Sequence, residues 1–149
     1  MRQVGIFGKR KSGKSALMYA LIRHKVNATF KSVEIGGVKK VMLVDTVGVD
    51  VEGSTAEESA QSVEVALMLI TDDSFELELA WISKLRKAGS SIIAVISKSD
   101  TLEDNGAALA AAVREVSGLK TFCVSSETGA GVIELDGEIN RVLGSREQK

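Results

Sequence analysis

Eight residues near the start of the chain, Gly8-Lys9-Arg10-Lys11-Ser12-Gly13-Lys14-Ser15, have the spacing G-x-x-x-x-G-K-[ST]. Residue types in that order suit one task, holding a chain of phosphates. The glycines let backbone N–H groups turn inward around phosphate oxygens. A helix starting where the loop ends adds partial positive charge at the same point. Lys14 is placed to reach β- and γ-phosphates, the Ser15 hydroxyl to bind Mg²⁺, and Ala16 opens the helix behind them. The cationic run Lys9-Arg10-Lys11, met alone, would suggest a nucleic-acid or targeting patch. Inside this loop it belongs with the phosphates.

Two further stretches extend that chemistry. Asp45-Thr46-Val47-Gly48 follows an apolar run. A carboxylate ending a strand beside the phosphate loop can hold Mg²⁺, directly or through water. Gly48 can bring its backbone N–H to the γ-phosphate. Such a D-x-x-G match is weak alone and gains weight from its place downstream of the loop. Ser97-Lys98-Ser99-Asp100 is the candidate base reader. The Asp100 carboxylate can accept from the N1–H and exocyclic N2–H₂ of guanine, a donor pair that adenine lacks. Lys98 can lay its aliphatic stem along the base and ring oxygen. The alternative for Asp100 is a helix cap or a solvated turn. In Ser125-Ser126-Glu127, Ser126 can offer a backbone N–H to guanine O6. Lys14, Gly48 and Lys11 are the candidate catalytic groups.

The elements that must position these residues follow from hydrophobic patterning. Apolar runs at 4–7, 40–44, 65–70, 91–96 and 121–124 read as strands, with a further strand at 32–35 before the hairpin signal Gly36-Gly37. Helices are expected at 16–22, 56–62, 75–87, 107–116 and 132–143, with loops at 25–30 and 49–55. Alternation of buried strands and helices predicts an α/β, doubly wound, mostly parallel six-stranded sheet, with one antiparallel edge strand. Ligands in such folds bind outside the C-terminal ends of the strands, where every motif above lies.

The 149 residues fit one domain, 1–144, with a polar tail at 145–149. A net charge of −1 provides no global basic field to recruit nucleic acid. The apolar content of 44% lies in short runs, none long enough for a membrane span. One cysteine, Cys123, forms no internal disulfide and fits a reducing, cytoplasmic compartment.

With these four motifs the chain resembles the GTP-binding domains of the translation-factor-related class, P-loop NTPases with a Ras-like G domain. The resemblance covers nearly the whole chain. It implies GTP and GDP as ligands, Mg²⁺ as cofactor, GTP hydrolysis, a protein partner of unknown identity and room for a nucleotide-dependent dimer. Leu43-Val44-Asp45-Thr46-Val47-Gly48-Val49-Asp50-Val51-Glu52-Gly53 and Gly5-Ile6-Phe7-Gly8-Lys9-Arg10 resemble the GTPase domain of the FeFe-hydrogenase maturation protein. The short length and Ala94-Val95-Ile96-Ser97-Lys98-Ser99-Asp100 are similar to the accessory GTP-binding protein of ethanolamine and propanediol utilisation. A nucleotide-holding module without turnover is a third reading.

Three departures from the family pattern bear on activity. Ser97 replaces the Asn of N-K-x-D, which braces the phosphate loop in the family, so weaker nucleotide binding is expected. Thr29 is either the first-switch threonine that binds Mg²⁺ or an exposed loop residue. Val49, after D-x-x-G, cannot orient water, so hydrolysis should be slow. Cation-activated relatives carry at the position of Lys11 an Asn that helps hold K⁺. Lys11 has no acceptor oxygen. Either its ammonium takes over part of the ion's role, or it points into solvent and the site is less active.

Overall fold

Apolar runs alternate with amphipathic ones along the chain, the pattern of strands covered by helices. The computed structural model describes residues 2–26, 41–45, 48 and 63–147. In chain order it contains β1 (Arg2–Phe7), α1 (Lys14–Val26), β2 (Val41–Asp45), β3 (Val65–Ile70), α2 (Glu76–Lys87), β4 (Ser91–Ile96), α3 (Ala107–Ser117), β5 (Thr121–Cys123) and α4 (Val132–Glu147). The described strands form a five-stranded sheet in the order β2-β1-β3-β4-β5. Every pairing in it is parallel. The six-strand expectation therefore becomes five among the described residues. The antiparallel strand expected at 32–35, the helix at 56–62 and Thr29 lie outside those residues.

All six residues of β3 are buried, because helices cover both faces. Val65, Leu67 and Leu69 join Leu17 and Leu21 of α1 and Leu135, Ile139 and Leu143 of α4 in one core. Ala66, Met68 and Ile70 join Trp81, Ile82 and Leu85 of α2 and Ala110 and Val113 of α3 in the other. The two-residue period of the strand thus sorts its side chains between two helical layers. Phe7 and Trp81 stack with centroids 6.3 Å apart, and the Lys84 ammonium lies 4.6 Å over the Trp81 ring. Trp81 is a core residue, buried against the sheet.

β1 lies between β2 and β3. The chain leaves β1 into α1 on one face of the sheet and leaves β3 into α2 on the other. A crevice opens at the C-terminal ends of β1 and β3, the switch point of this topology. The phosphate loop after β1 sits in that crevice.

The last helix corrects an expectation. It does not give way to a polar tail at Gly144 but runs through that glycine to Glu147. Arg146 docks it, donating to the Gly89 carbonyl at 3.1 Å and the Ser91 hydroxyl at 3.0 Å, with Glu64 at 3.5 Å. These partners come from 55 or more residues away, so the local sequence carries no sign of them.

Candidate functional site

The phosphate loop is drawn around its own lysine. The Lys14 ammonium donates to the carbonyls of Lys9, at 2.8 Å, and Gly8, at 3.3 Å. The Ser12 N–H donates to the same Lys9 carbonyl at 3.2 Å. Lys14 is only 9% exposed, held at the start of α1. Gly8 has no room for a side chain: a Cβ there would lie 2.6 Å from Ser12 Oγ and 3.2 Å from the Leu69 carbonyl. Arg10, Lys11, Gly13, Lys14, Ser15, Ala16 and Gly48 line one depression of about 380 Å³.

Two residues at the end of β4 brace this loop. The Ser97 hydroxyl donates to the Ser12 carbonyl at 2.5 Å across 85 residues of sequence. The bracing role expected to lapse with the family Asn is thus retained by a shorter side chain, which needs a closer approach. The Lys98 ammonium bonds the Lys11 carbonyl. Lys11 and Lys98 both have left-handed backbones, at φ 62° and 55°. Side chains disfavour that region by about 1–2 kcal/mol per residue, an order that an ammonium–carbonyl bond can offset.

Beyond Gly13 and Ala16 the depression continues into a second, of about 270 Å³, also lined by Ser97, Lys98, Asp100, Thr101, Ser126 and Glu127. Asp100 follows β4 in a 3₁₀ turn, Ser99–Thr101. Its Oδ1 accepts from the Ser125 hydroxyl at 2.8 Å, and Ser125 is fully buried. Asp100 is therefore neither a helix cap nor a loose turn residue; its carboxylate is held at the far end of the groove. Ser125 sits behind Asp100 rather than in the lining, a role its sequence position did not reveal. Its hydroxyl also accepts from the Thr128 N–H at 3.2 Å, fixing the loop that carries Ser126 and Glu127.

That loop depends on Gly131. Its φ is +78°, and a Cβ there would lie 2.1 Å from the Cys123 carbonyl oxygen of β5. Gly131→Ala should destabilise the protein by about 2–4 kcal/mol, combining left-handed strain with overpacking against backbone. Urea unfolding measures this; a loss within experimental error would mean that the 125–131 loop can shift without cost.

Other predicted site residues are placed as follows. Asp45 ends β2, its Cα paired with Ile6, one residue before β1 ends. Gly48 is buried and lines the phosphate end. Lys9 has partners that the sequence did not show. Its side chain is absent from the lining of the phosphate end and turns to α2. There it donates to the Ser74 carbonyl at 2.7 Å and lies 3.5 Å from Glu78 Oε1. Sequence reading missed Glu78. It stands three, four and seven residues before Trp81, Ile82 and Leu85, an acid in the apolar stripe of its helix. Burial pushes its carboxyl above the usual range, while Lys9 pulls it partly back.

Among the described residues, no three His, Cys, Asp or Glu side chains cluster to hold a metal. Among the described lining residues, Ser15 offers a hydroxyl oxygen, a donor that suits Mg²⁺ completed by phosphate oxygens and water. No described helix is long and apolar enough to cross a membrane.

The family model described as 50S ribosome-binding GTPase matches residues 3–98. No curated protein sequence gives a match. Among solved structures, a probable GTP-binding protein engB is 17% identical, with a TM-score of 0.72 over 96% of this chain and 99% of that one. The FeoB G-domain from Methanococcus jannaschii is 18% identical, with a TM-score of 0.66 over 97% and 99%. Translation elongation factor SelB from Methanococcus maripaludis, in complex with the GTP analogue GppNHp, is 22% identical, with a TM-score of 0.73 over 96% of this chain and 34% of that one. At such identities these structures establish the fold.

Proposed function

The chain belongs to the 50S ribosome-binding GTPase family, and on that premise we propose that its groove binds GTP and GDP with Mg²⁺, hydrolyses GTP slowly and reports nucleotide state in FeFe-hydrogenase maturation. One observation carries the nucleotide reading. A groove lined at one end by Arg10, Lys11 and Lys14 runs through Gly13 and Ala16 to a carboxylate, Asp100, at the other. Phosphates suit the first end, and the guanine N1–H and N2–H₂ donors suit the second.

In this reading Lys14 and the inward N–H groups of the loop neutralise the phosphates. The Ser15 hydroxyl and the Asp45 carboxylate would hold Mg²⁺, which would supply positive charge to the phosphates. Gly48 approaches the γ-phosphate through its N–H. Lys98 covers the base, and Ser126 meets its O6. Val49 offers no group to orient water, so turnover is slow until a partner provides one. The stretches 43–53 and 5–10 support the hydrogenase-maturation role, and the lone Cys123 fits a cytoplasmic setting.

Calorimetry with GDP, a GTP analogue, ADP and ATP, each with and without Mg²⁺, tests binding. Guanine nucleotides should bind, the triphosphate should tighten with metal, and adenine nucleotides should not compete. Equal affinity for ADP and GDP would overturn the reading. Single-turnover hydrolysis separates a slow enzyme from a holding module. For the pathway, the chain is added to a cell-free hydrogenase maturation mixture lacking its GTPase domain. Absence of rescue would remove the hydrogenase role and favour the ethanolamine and propanediol accessory role.

Lys11 is assigned the charge that a monovalent cation gives elsewhere. It lines the phosphate end, and its backbone is held by Lys98. Wild-type hydrolysis should be equal in K⁺ and Na⁺, and Lys11→Ala should slow it about tenfold, the effect of about 1.4 kcal/mol of lost transition-state charge. Strong stimulation by K⁺ in the wild type would rule this out.

A further inference from the structure

We propose that Glu78 is a positioning residue for the phosphate loop: from the first turn of α2 it fixes Lys9 and, through the Lys9 carbonyl, the ammonium of Lys14. The Glu78 side chain is 3% exposed, and among the described residues its Oε1 has no hydrogen-bond partner. The Lys9 ammonium lies 3.5 Å from it and is also held by the Ser74 carbonyl at 2.7 Å. Lys9 in turn is the knot of the loop. Its carbonyl takes both the Lys14 ammonium, at 2.8 Å, and the Ser12 N–H, at 3.2 Å. Whatever anchors Lys9 therefore anchors the two loop residues that depend on it.

An acid is a costly choice at this position. Trp81, Ile82 and Leu85 continue the same stripe into the core, where an apolar residue would be accommodated without desolvating a charge. The charged groups facing the carboxylate are Lys9 from the phosphate loop and Asp72 from the turn after β3; Asp72 and burial both oppose its ionisation. Because the carboxyl is raised in the folded state, the native protein binds more protons than the unfolded chain between the ordinary and the raised values. Stability contributed by this group falls as pH rises through that window. Folding alone gains nothing from the charge, whereas an anchored Lys9 does.

This inference rests on the loop holding nucleotide phosphates, and the test separates the two claims. Glu78→Gln keeps shape and removes charge. In the nucleotide-free protein, it should speed amide exchange in the loop 8–14 roughly three- to tenfold, within the range of coupling between contacting residues, and leave β4 unchanged. GDP affinity at neutral pH should drop by a similar factor although urea stability does not fall. As pH falls through the Glu78 titration, the ratio of wild-type to variant affinity should approach one, since the wild type loses the same charge. Lys9→Met combined with Glu78→Gln should bind GDP no worse than Lys9→Met alone. Unchanged loop exchange in Glu78→Gln, or an affinity ratio flat with pH, overturns the proposal. If the wild type binds no GDP, the nucleotide reading fails, and loop exchange alone decides the role of Glu78.

Discussion

Lys14→Ala will cost most of the affinity for the triphosphate. The ammonium is the most buried of the loop's cations, and two carbonyls of its own loop aim it. Alanine removes the staple across the loop together with the charge that the proposed site sets beside the phosphates. A hydrogen bond to a charged group contributes about 1.5–3 kcal/mol, and two phosphate oxygens are served. The expected loss is about 3–5 kcal/mol, or a factor of roughly one hundred to several thousand in Kd. GDP should lose less, because it lacks the γ-phosphate. Titration of a fluorescent GTP analogue and of GDP measures both. A variant that binds the analogue within twofold of wild type would remove Lys14 from the phosphate site.

Asp100→Asn will lose guanine affinity without losing the fold. In the native protein the Ser125 hydroxyl donates to one carboxylate oxygen. An Asn oxygen can accept the same bond, so the fully buried Ser125 stays satisfied. The amide NH₂ then faces guanine N1–H, donor against donor. The expected loss for GDP is about 1.5–3 kcal/mol, roughly ten- to a hundredfold. Competition calorimetry with GDP and ADP provides the measurement, and thermal unfolding confirms that the variant is folded. Unchanged GDP affinity would end the guanine assignment and leave Asp100 as a structural acceptor for Ser125.

These predictions rest on different layers of information. The phosphate loop and its order with Asp100 were readable in the residues, because a backbone cradle needs glycine and cation at fixed local spacing. The strands of the described sheet were readable too, since runs buried on both faces are apolar at every position, as in residues 65–70. Gly48 beside the loop followed from topology: strands in parallel order bring their C-terminal ends together.

What the tertiary structure alone decided are partners distant in sequence. Three neighbouring cations, Lys9, Arg10 and Lys11, looked equivalent; only the packing of α2 shows that Lys9 is drawn to Glu78, 69 positions away, while the other two line the phosphate end. Ser97 looked like a loss because a side chain shorter than Asn has less reach. The fold supplies the reach by bringing the end of β4 against the Ser12 carbonyl. Ser125 stood in the sequence only as part of the Ser125-Ser126-Glu127 stretch, and the fold shows it holding Asp100 from behind. The helix expected at 132–143 runs on to Glu147, where Arg146 bonds Gly89 and Ser91 from other elements. Local spacing determined which chemistry the chain can perform. Side-chain reach across the sheet determined which residues perform it, because a hydrogen bond or ion pair depends on distance in space and leaves no period in the sequence.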